Sequence, residues 1–286
     1  MKIVAATMVY NEGDRLTRWI DYYGRQLGCE SLLVIDHGSN DGSANLPDIA
    51  SIRLPRSEFD DIQRAEFVSD LCRALLLYYD AMIYTGCDEF LVADPAYHKD
   101  LRRYVETVDA ISVRSIGFEL IHRPTLEAPI DFSRPILQQR RYCWFRSVEC
   151  KPAIAKEPVR WTPGFHHCSK IPTVDPHLYM FHLKHVDYEI ALKRLELTRN
   201  LNWSERSING RMGAHQRVSN EEATRTQFRY PEAFLQQNGA KQFSDAAFSD
   251  ETLNLRENLK LLHGIYRCDA YAGSCYEIPE RLRNVF

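Results

Sequence analysis

The sequence predicts an α/β protein with a doubly wound, mostly parallel sheet flanked by helices, followed by a helical C-terminal part. Three observations carry this. Residues 1–95 alternate short apolar runs with amphipathic stretches in the order strand, helix, strand, strand, helix, strand. The runs are apolar on both faces, as in strands buried within a parallel sheet. The polar stretches "VYNEGD", "DHGSND" and "CDEF" all fall at the C-terminal ends of those strands, where sheets of this kind bind ligands.

Each element has its own local reason. Lys2 to Val9 reads as a buried strand of β-branched and small residues. In the following helix, Leu16, Trp19, Ile20, Tyr23 and Leu27 recur at three- and four-residue steps and make one apolar face. Asn11 is the expected N-cap, Glu12 and Asp14 suit the positive end of the helix dipole, and Gly28 is the C-cap. "SLLVID" is the second strand and "HGSNDGS" a turn-rich loop. "SIRLP" is a short third strand. Phe59 to Tyr79 is amphipathic through Ile62, Phe67, Leu71, Leu75 and Tyr79, and "AMIYT" is the fourth strand.

Beyond Asp94, "KDLRRYVETV" predicts a short helix and "DAISVRSIGFELI" a strand. "HRPTLEAPIDFSRP" predicts an irregular, proline-rich loop. "QQRRYCWFRSVECKPAIAKEPVRW" predicts antiparallel strands, "HLYMFHLKH" another strand, and "VDYEIALKRLELTRNLNW" a helix with Asp187 near its start. The expected division is an α/β domain over residues 1–203 and a helical extension over 204–286 packed on it.

Composition narrows the function classes. A formal net charge of −3 gives no bulk attraction to nucleic acid. The eight cysteines form no C-x-x-C pair and mostly sit in apolar segments, which predicts reduced, buried thiols. The N-terminal apolar run is too short for a signal peptide, and no run reaches the ~18 residues of a membrane span. These features predict a cytoplasmic protein that works, for a lipid substrate, at the inner membrane surface.

The candidate chemistry lies at the strand ends. "MVYNEGDRL" presents the free N–H groups of a helix start, suited to a phosphate or a base edge, although an ordinary capped helix looks the same. Asp36 ends the second strand, where it can accept from a ribose or base, and Asp41 can cap its own turn. In "MIYTGCDEFLVAD" two carboxylates interrupt an apolar run. Asp88 is the better candidate for Mg²⁺ or Mn²⁺, and Glu89 for an internal ion pair. The late histidines, His166, His167, His177, His182 and His185, lack compact zinc spacing. A single histidine such as His182 completing a carboxylate site is the better reading. Lys151, Arg160, Lys170, Lys184, Arg140 and Arg141 flank them as candidate phosphate clamps or as a solvated face.

In this order and spacing, "MVYNEGDRLTRWIDYYGRQLGCESLLVIDHGSNDGS" and "YTGCDEFLV" resemble the GT-A glycosyltransferases of family 2. The closest likeness is the bacterial branch with a D-x-D-E-F motif, related to family 92. The likeness covers residues 3 to 94 and continues loosely through "KPAIAKEPVRWTPGFHH" and "LYMFHLKHVDYEIALKRL". It implies a nucleotide-sugar-dependent glycosyltransferase using a UDP- or GDP-sugar donor and a glycan, lipid-linked or protein acceptor. Inversion is favoured over retention. By the matching positions, Tyr10, Asn11, Glu12, Asp36 and His37 line the nucleoside pocket, and Arg15 reaches the phosphates. Asp88 holds Mn²⁺ or Mg²⁺, with His182 as its later ligand. Glu119 and Asp131 are the candidate acceptor bases.

Two positions depart from the pattern. Gly86 replaces the first Asp of D-x-D-E-F, and His37 stands where many members carry a second Asp. Gly86 motivates an alternative, a non-catalytic nucleotide or sugar binder. A nucleotidyltransferase is a further alternative, but "MVYNEGDRL" lacks the glycine-rich basic loop that such enzymes carry after strand one.

Overall fold

Burial on both faces puts β1 (Ile3–Val9) at the centre of a mixed sheet. The computed structural model describes residues 1–286, the Asp245 side chain excepted. After β1 come α1 (Asp14–Leu27), β2 (Leu32–Asp36), β3 (Ala50–Arg53), α2 (Asp61–Leu75), β4 (Ala81–Tyr84) and β5 (Glu89–Ala93). The middle of the chain adds α3 (Leu101–Thr107), β6 (Ser112–Ile121), β7 (Tyr142–Arg146), β8 (Pro152–Ala155), β9 (Thr173–His182) and α4 (Tyr188–Arg199). The remainder holds α5 (Glu205–Asn209), α6 (Asn220–Thr224), α7 (Tyr230–Asn238), β10 (Ala240–Gln242), α8 (Ser249–Glu257), β11 (Lys260–Leu262), β12 (Ile265–Arg267) and β13 (Ala272–Glu277).

The sheet order is β10-β13-β7-β6-β8-β4-β1-β2-β3, and β9 pairs with both β5 and β6. Neighbours in the β4-β1-β2-β3 block are parallel, as the sequence predicts. Antiparallel β8 then continues the sheet from β4. One core lies against α1 and α3 and includes Trp19, Tyr22, Tyr23, Phe90 and Tyr104. A second lies under α2 and includes Val68, Cys72, Trp161 and Phe165, and a small third joins Ile121, Trp144, Leu235 and Cys275. All eight cysteines are free, and seven are buried.

Three details differ from the sequence reading. Asn11 does not cap α1. Gly13 holds the N-cap position at φ 50°, because the Asn11 amide is engaged by Asn40 at 2.8 and 2.9 Å. Gly28 does end the helix, at φ 88°. The run after Asp88 forms a strand of its own, β5, paired antiparallel to β9. Residues 204–286 carry helices α5 to α8 and also strands, and β13 and β10 extend the main sheet beyond β7.

Side-chain ties fasten this last segment to the rest. Asp60 caps α2 through the N–H groups of Ile62 and Gln63 and accepts from Ser204 and Arg206. Fully buried Asp94, at the end of β5, accepts two hydrogen bonds from Arg281 and one from the Tyr179 hydroxyl. None of the helices among the described residues is long and apolar enough to cross a membrane.

Candidate functional site

The ends of β1, β2, β4, β6 and β9 open onto one cleft of about 590 Å³, closed on its far side by α4 and residues 211–228. The aromatic face of α1 sets the β4–β5 corner on its floor. Trp19 Nε1 donates to Thr85 Oγ1 at 2.8 Å, Tyr22 donates to the Leu91 carbonyl, and the Tyr23 hydroxyl donates to the Glu89 carbonyl. The Leu91 N–H donates back to the Tyr23 hydroxyl. The aromatic spacing that predicts the helix is thus also what aims Gly86, Cys87 and Asp88 into the cleft.

Strand register does the rest. In the β5–β9 ladder Glu89 lies opposite His182, and in the β6–β9 ladder Glu119 lies opposite His182. His182 therefore sits between two acidic strand positions, with Asp88 beside them. Its Nε2 is 3.7 Å from Asp88 Oδ2, an ion-pair distance rather than a hydrogen bond. Its Nδ1 is 2.9 Å from Glu119 Oε2 and 3.5 Å from Glu149 Oε1. The other oxygen of Glu119 takes His185 Nδ1 at 2.8 Å.

Charge is balanced locally. Glu89 takes an internal cation, Lys151, which also lies 3.8 Å from Glu149, and it accepts the Gly86 N–H at 2.8 Å. Burial alone would depress the His182 imidazolium, but the carboxylates of Glu149, Glu119 and Asp88 hold its pKa well above the usual value. Burial would raise Asp88, and His182 opposite keeps it well below the usual carboxylate range. Burial lowers Lys184, which lines the same cleft.

The residues fit a divalent metal. Glu119 fixes Nδ1 of His182, which leaves Nε2 facing Asp88, the arrangement of a histidine ligand backed by a carboxylate. Two bonds of about 2.1 Å span up to about 4.2 Å, so the 3.7 Å between Asp88 and His182 admits one ion between them. Asp88, Glu89 and His182 form one group able to hold a cation, and Glu119, Glu149 and His182 a second. Among the described residues no histidine–cysteine cluster does so. Position 86 faces both carboxylates, since a Cβ there would lie 2.9 Å from Asp88 Oδ1 and 3.3 Å from Glu89 Cδ, side-chain ends that would have to turn aside.

The other sequence-predicted residues divide. Tyr10, Glu12, Arg15 and His37 line the cleft with Asp88, Glu119 and His182. Arg15 is buried, and its Nη2 has no hydrogen-bond partner. Glu12 is held by Arg194, which also donates to the Tyr10 and Asn11 carbonyls at 3.2 and 3.0 Å. Arg56 covers one face of Tyr10 at 3.7 Å and contacts His37 Nδ1 at 3.1 Å. Beside His37 a smaller recess of about 270 Å³ is lined by Met8, Leu54, Pro55, Phe59 and Phe67.

Asn11 and Asp36 stand behind the cleft and do not line it. Asp36 is buried, accepts from Ser39 N at 2.7 Å and pairs with Arg53. Asp131 is not brought to the site. It is exposed, and its carboxylate closes its own turn on the Ser133 N–H and hydroxyl. Of the flanking cations, Lys151 and Lys184 reach the cleft. Arg140 is buried beside Asp187, Arg141 pairs with Glu277, and Lys170 pairs with Glu157. Sequence reasoning misses Glu149 and Arg194. The one available signal for Glu149 is a lone acid between Val148 and Cys150.

No family model matches the chain, and no curated protein matches it. Among solved structures the chain is similar to a mannosyltransferase from Pyrobaculum calidifontis in complex with GDP-Man and Mn²⁺. That likeness has 13% identity and a TM-score of 0.38, over 90% of this chain and 80% of that one. It is also similar to residues 1–349 of S. aureus TarS, with 12% identity and a TM-score of 0.35 over 84% and 74% of the two chains. A third likeness is to mannose-1-phosphate geranyltransferase from Thermus thermophilus, with 14% identity and a TM-score of 0.31 over 78% and 67%. All three likenesses are distant.

Proposed function

We propose that the chain is a GT-A glycosyltransferase that moves a sugar from a nucleotide-sugar donor to a glycan, lipid-linked or protein acceptor, with Mn²⁺ or Mg²⁺ held by Asp88 and His182. The observation that carries the reading is the meeting of three strand ends on one cleft. Tyr10 and Glu12 follow β1 and Arg15 opens α1 behind them, His37 follows β2, Asp88 follows β4, and β9 adds His182.

The roles follow from position. The recess beside His37 has the size for part of a nucleoside, with apolar walls from Met8, Leu54, Pro55, Phe59 and Phe67 and polar groups from Ser57, Asp60 and Gln63. Arg15, buried with a free Nη2, suits an anionic oxygen of the diphosphate. A metal bound there supplies charge to neutralise the departing diphosphate. In the transfer the bond from the sugar C1 to the diphosphate oxygen breaks, and the acceptor oxygen bonds to C1. The acceptor hydroxyl gives its proton to a base. Asp131 is remote from the cleft, and both oxygens of Glu119 hold histidines, so Glu119 serves first to orient His182 and His185.

That engagement of Glu119 also favours a second reading, a protein that binds the donor without turning it over. One assay separates the two. The protein is incubated with UDP- and GDP-sugars and Mn²⁺, and the nucleotide product is measured. Release of nucleoside diphosphate is expected. Donor binding without release supports the second reading. Release of pyrophosphate, or neither binding nor release across the panel, contradicts the proposal.

A further inference from the structure

The hairpin of β11 and β12 is the one sheet among the described residues outside the central one. Its turn, His263–Gly264, has φ 51° and 76°, the left-handed pair that a tight two-residue hairpin requires. The register sets Lys260 opposite Arg267, Leu261 opposite Tyr266 and Leu262 opposite Ile265. Successive side chains leave opposite faces of a strand, so Leu261 and Leu262 make both faces of the tip apolar. They are 57% and 48% exposed.

An isolated hairpin normally covers one face to persist in water. This one leaves both leucines about half exposed. At its base, two cations face each other across the ladder, an arrangement that repels unless negative charge lies nearby. Lys260 lies 3.5 Å from Asp269, and Glu257 and Asp269 bracket the hairpin, so the cation left without a carboxylate beside it in the sequence is Arg267 at the base of β12. The hairpin is firmly attached. Tyr266 N donates to the Cys168 carbonyl at 2.8 Å, two residues from His166, which lines the cleft. Ile171, 60% exposed, follows on the same segment.

From this geometry we propose that the β11–β12 hairpin docks the protein on an anionic phospholipid surface, with Leu261 and Leu262 entering the acyl boundary and Lys260 and Arg267 meeting headgroup phosphates. An apolar tip backed by long cationic side chains matches the depth profile of such an interface. The charge pattern is what selects lipid as the occupant. A second exposed apolar pair, Leu77 and Tyr78 at 78% and 80%, adjoins Asp80, and its nearest cation along the chain, Arg73, already pairs with Asp70. The proposal does not depend on the donor or on the reaction.

The test is co-sedimentation of the full chain with vesicles of phosphatidylglycerol and phosphatidylcholine, and of phosphatidylcholine alone. The wild type should bind the anionic vesicles and release with salt. Joint Leu261→Glu and Leu262→Glu substitution should cut partitioning at least about tenfold. Joint Lys260→Glu and Arg267→Glu substitution should do the same on anionic vesicles. Thermal melts should stay unchanged, because the substituted side chains are exposed. The control Leu77→Glu should bind like wild type. No binding by wild type, wild-type binding by the hairpin variants, or equal loss in the control would overturn the proposal. So would a solution dimer that the leucine variants dissociate, since that assigns the tip to a second copy.

Discussion

His182 Nε2 stands 3.7 Å from Asp88 Oδ2 because β9 pairs with β5 in a register that sets His182 opposite Glu89, the residue after Asp88. The contact joins residues 94 positions apart in sequence, and the same histidine is anchored from behind by Glu119 at 2.9 Å.

That arrangement predicts an order of effects on Mn²⁺ affinity. Glu119→Gln keeps a partner for His182 but removes its charge, and should weaken Mn²⁺ by about 10- to 100-fold. His182→Ala removes a ligand and should weaken it further. Calorimetric titration of each folded variant checks the order. A Glu119 effect larger than the His182 effect would make Glu119 a direct ligand, as in the group of Glu119, Glu149 and His182.

Gly86 is the position where the sequence departs from D-x-D-E-F, and the packing there bears on that departure. A Cβ at 86 meets the Asp88 carboxylate at 2.9 Å, and the Gly86 N–H is already committed to Glu89. Gly86→Asp would crowd a third carboxylate against two others. It should lower metal affinity and transfer rather than improve them, by about tenfold, as like-charge repulsion on the order of 1.4 kcal/mol would give. Higher affinity for Mn²⁺ in Gly86→Asp would show that a carboxylate is missing from the site.

The C-terminal segment is held through Asp94. Arg281→Ala leaves that carboxylate buried without its cation, with the Tyr179 hydroxyl and the Ala96 N–H still donating to it. Asp94 is buried but the Arg281 side chain is one-third exposed, so the loss should be about 1–3 kcal/mol. For a chain of this size that is a fall in Tm of several degrees. Thermal melts of Arg281→Ala and Arg281→Lys measure it. The lysine variant should recover part of the loss.

Asp60 gives a pH signature. Burial would raise its pKa, but hydrogen bonds from Arg206, the Gln63 N–H and Ser204 bring it down to about 2. An unfolded Asp titrates near ~3.9. The folded value is the lower one, so this stabilisation is fully present above the unfolded pKa and is lost as pH falls toward 2. The stability gap between wild type and Asp60→Asn should therefore shrink between about pH 5 and pH 2 in denaturant melts. A gap that is constant with pH would remove the charge from the explanation.

Much of the N-terminal half is legible in the sequence, because period and polarity there are local. The apolar spacing of Trp19, Tyr23 and Leu27 gives α1, and the three polar strand ends give the position of the cleft. What the sequence does not show is register. Nothing near Glu119 indicates that it faces His182, nothing near Arg194 that it reaches Tyr10 and Glu12, and nothing near Asp94 that it meets Arg281. β5 is hidden because its apolar run reads equally as the tail of β4. Asp131 looks like Glu119 in sequence, an acid after an apolar stretch. Only the fold shows one carboxylate among histidines and the other on a surface turn.

The most direct measurement is the affinity of GDP and UDP for wild type and for Asp88→Asn, with and without Mn²⁺. Asn keeps the shape of Asp and removes its charge. In wild type, Mn²⁺ should tighten one of the two nucleotides at least about tenfold, and in Asp88→Asn that dependence should vanish while the melt is unchanged. Equal Mn²⁺ dependence in the variant, or none in wild type, would contradict a metal–diphosphate site at Asp88.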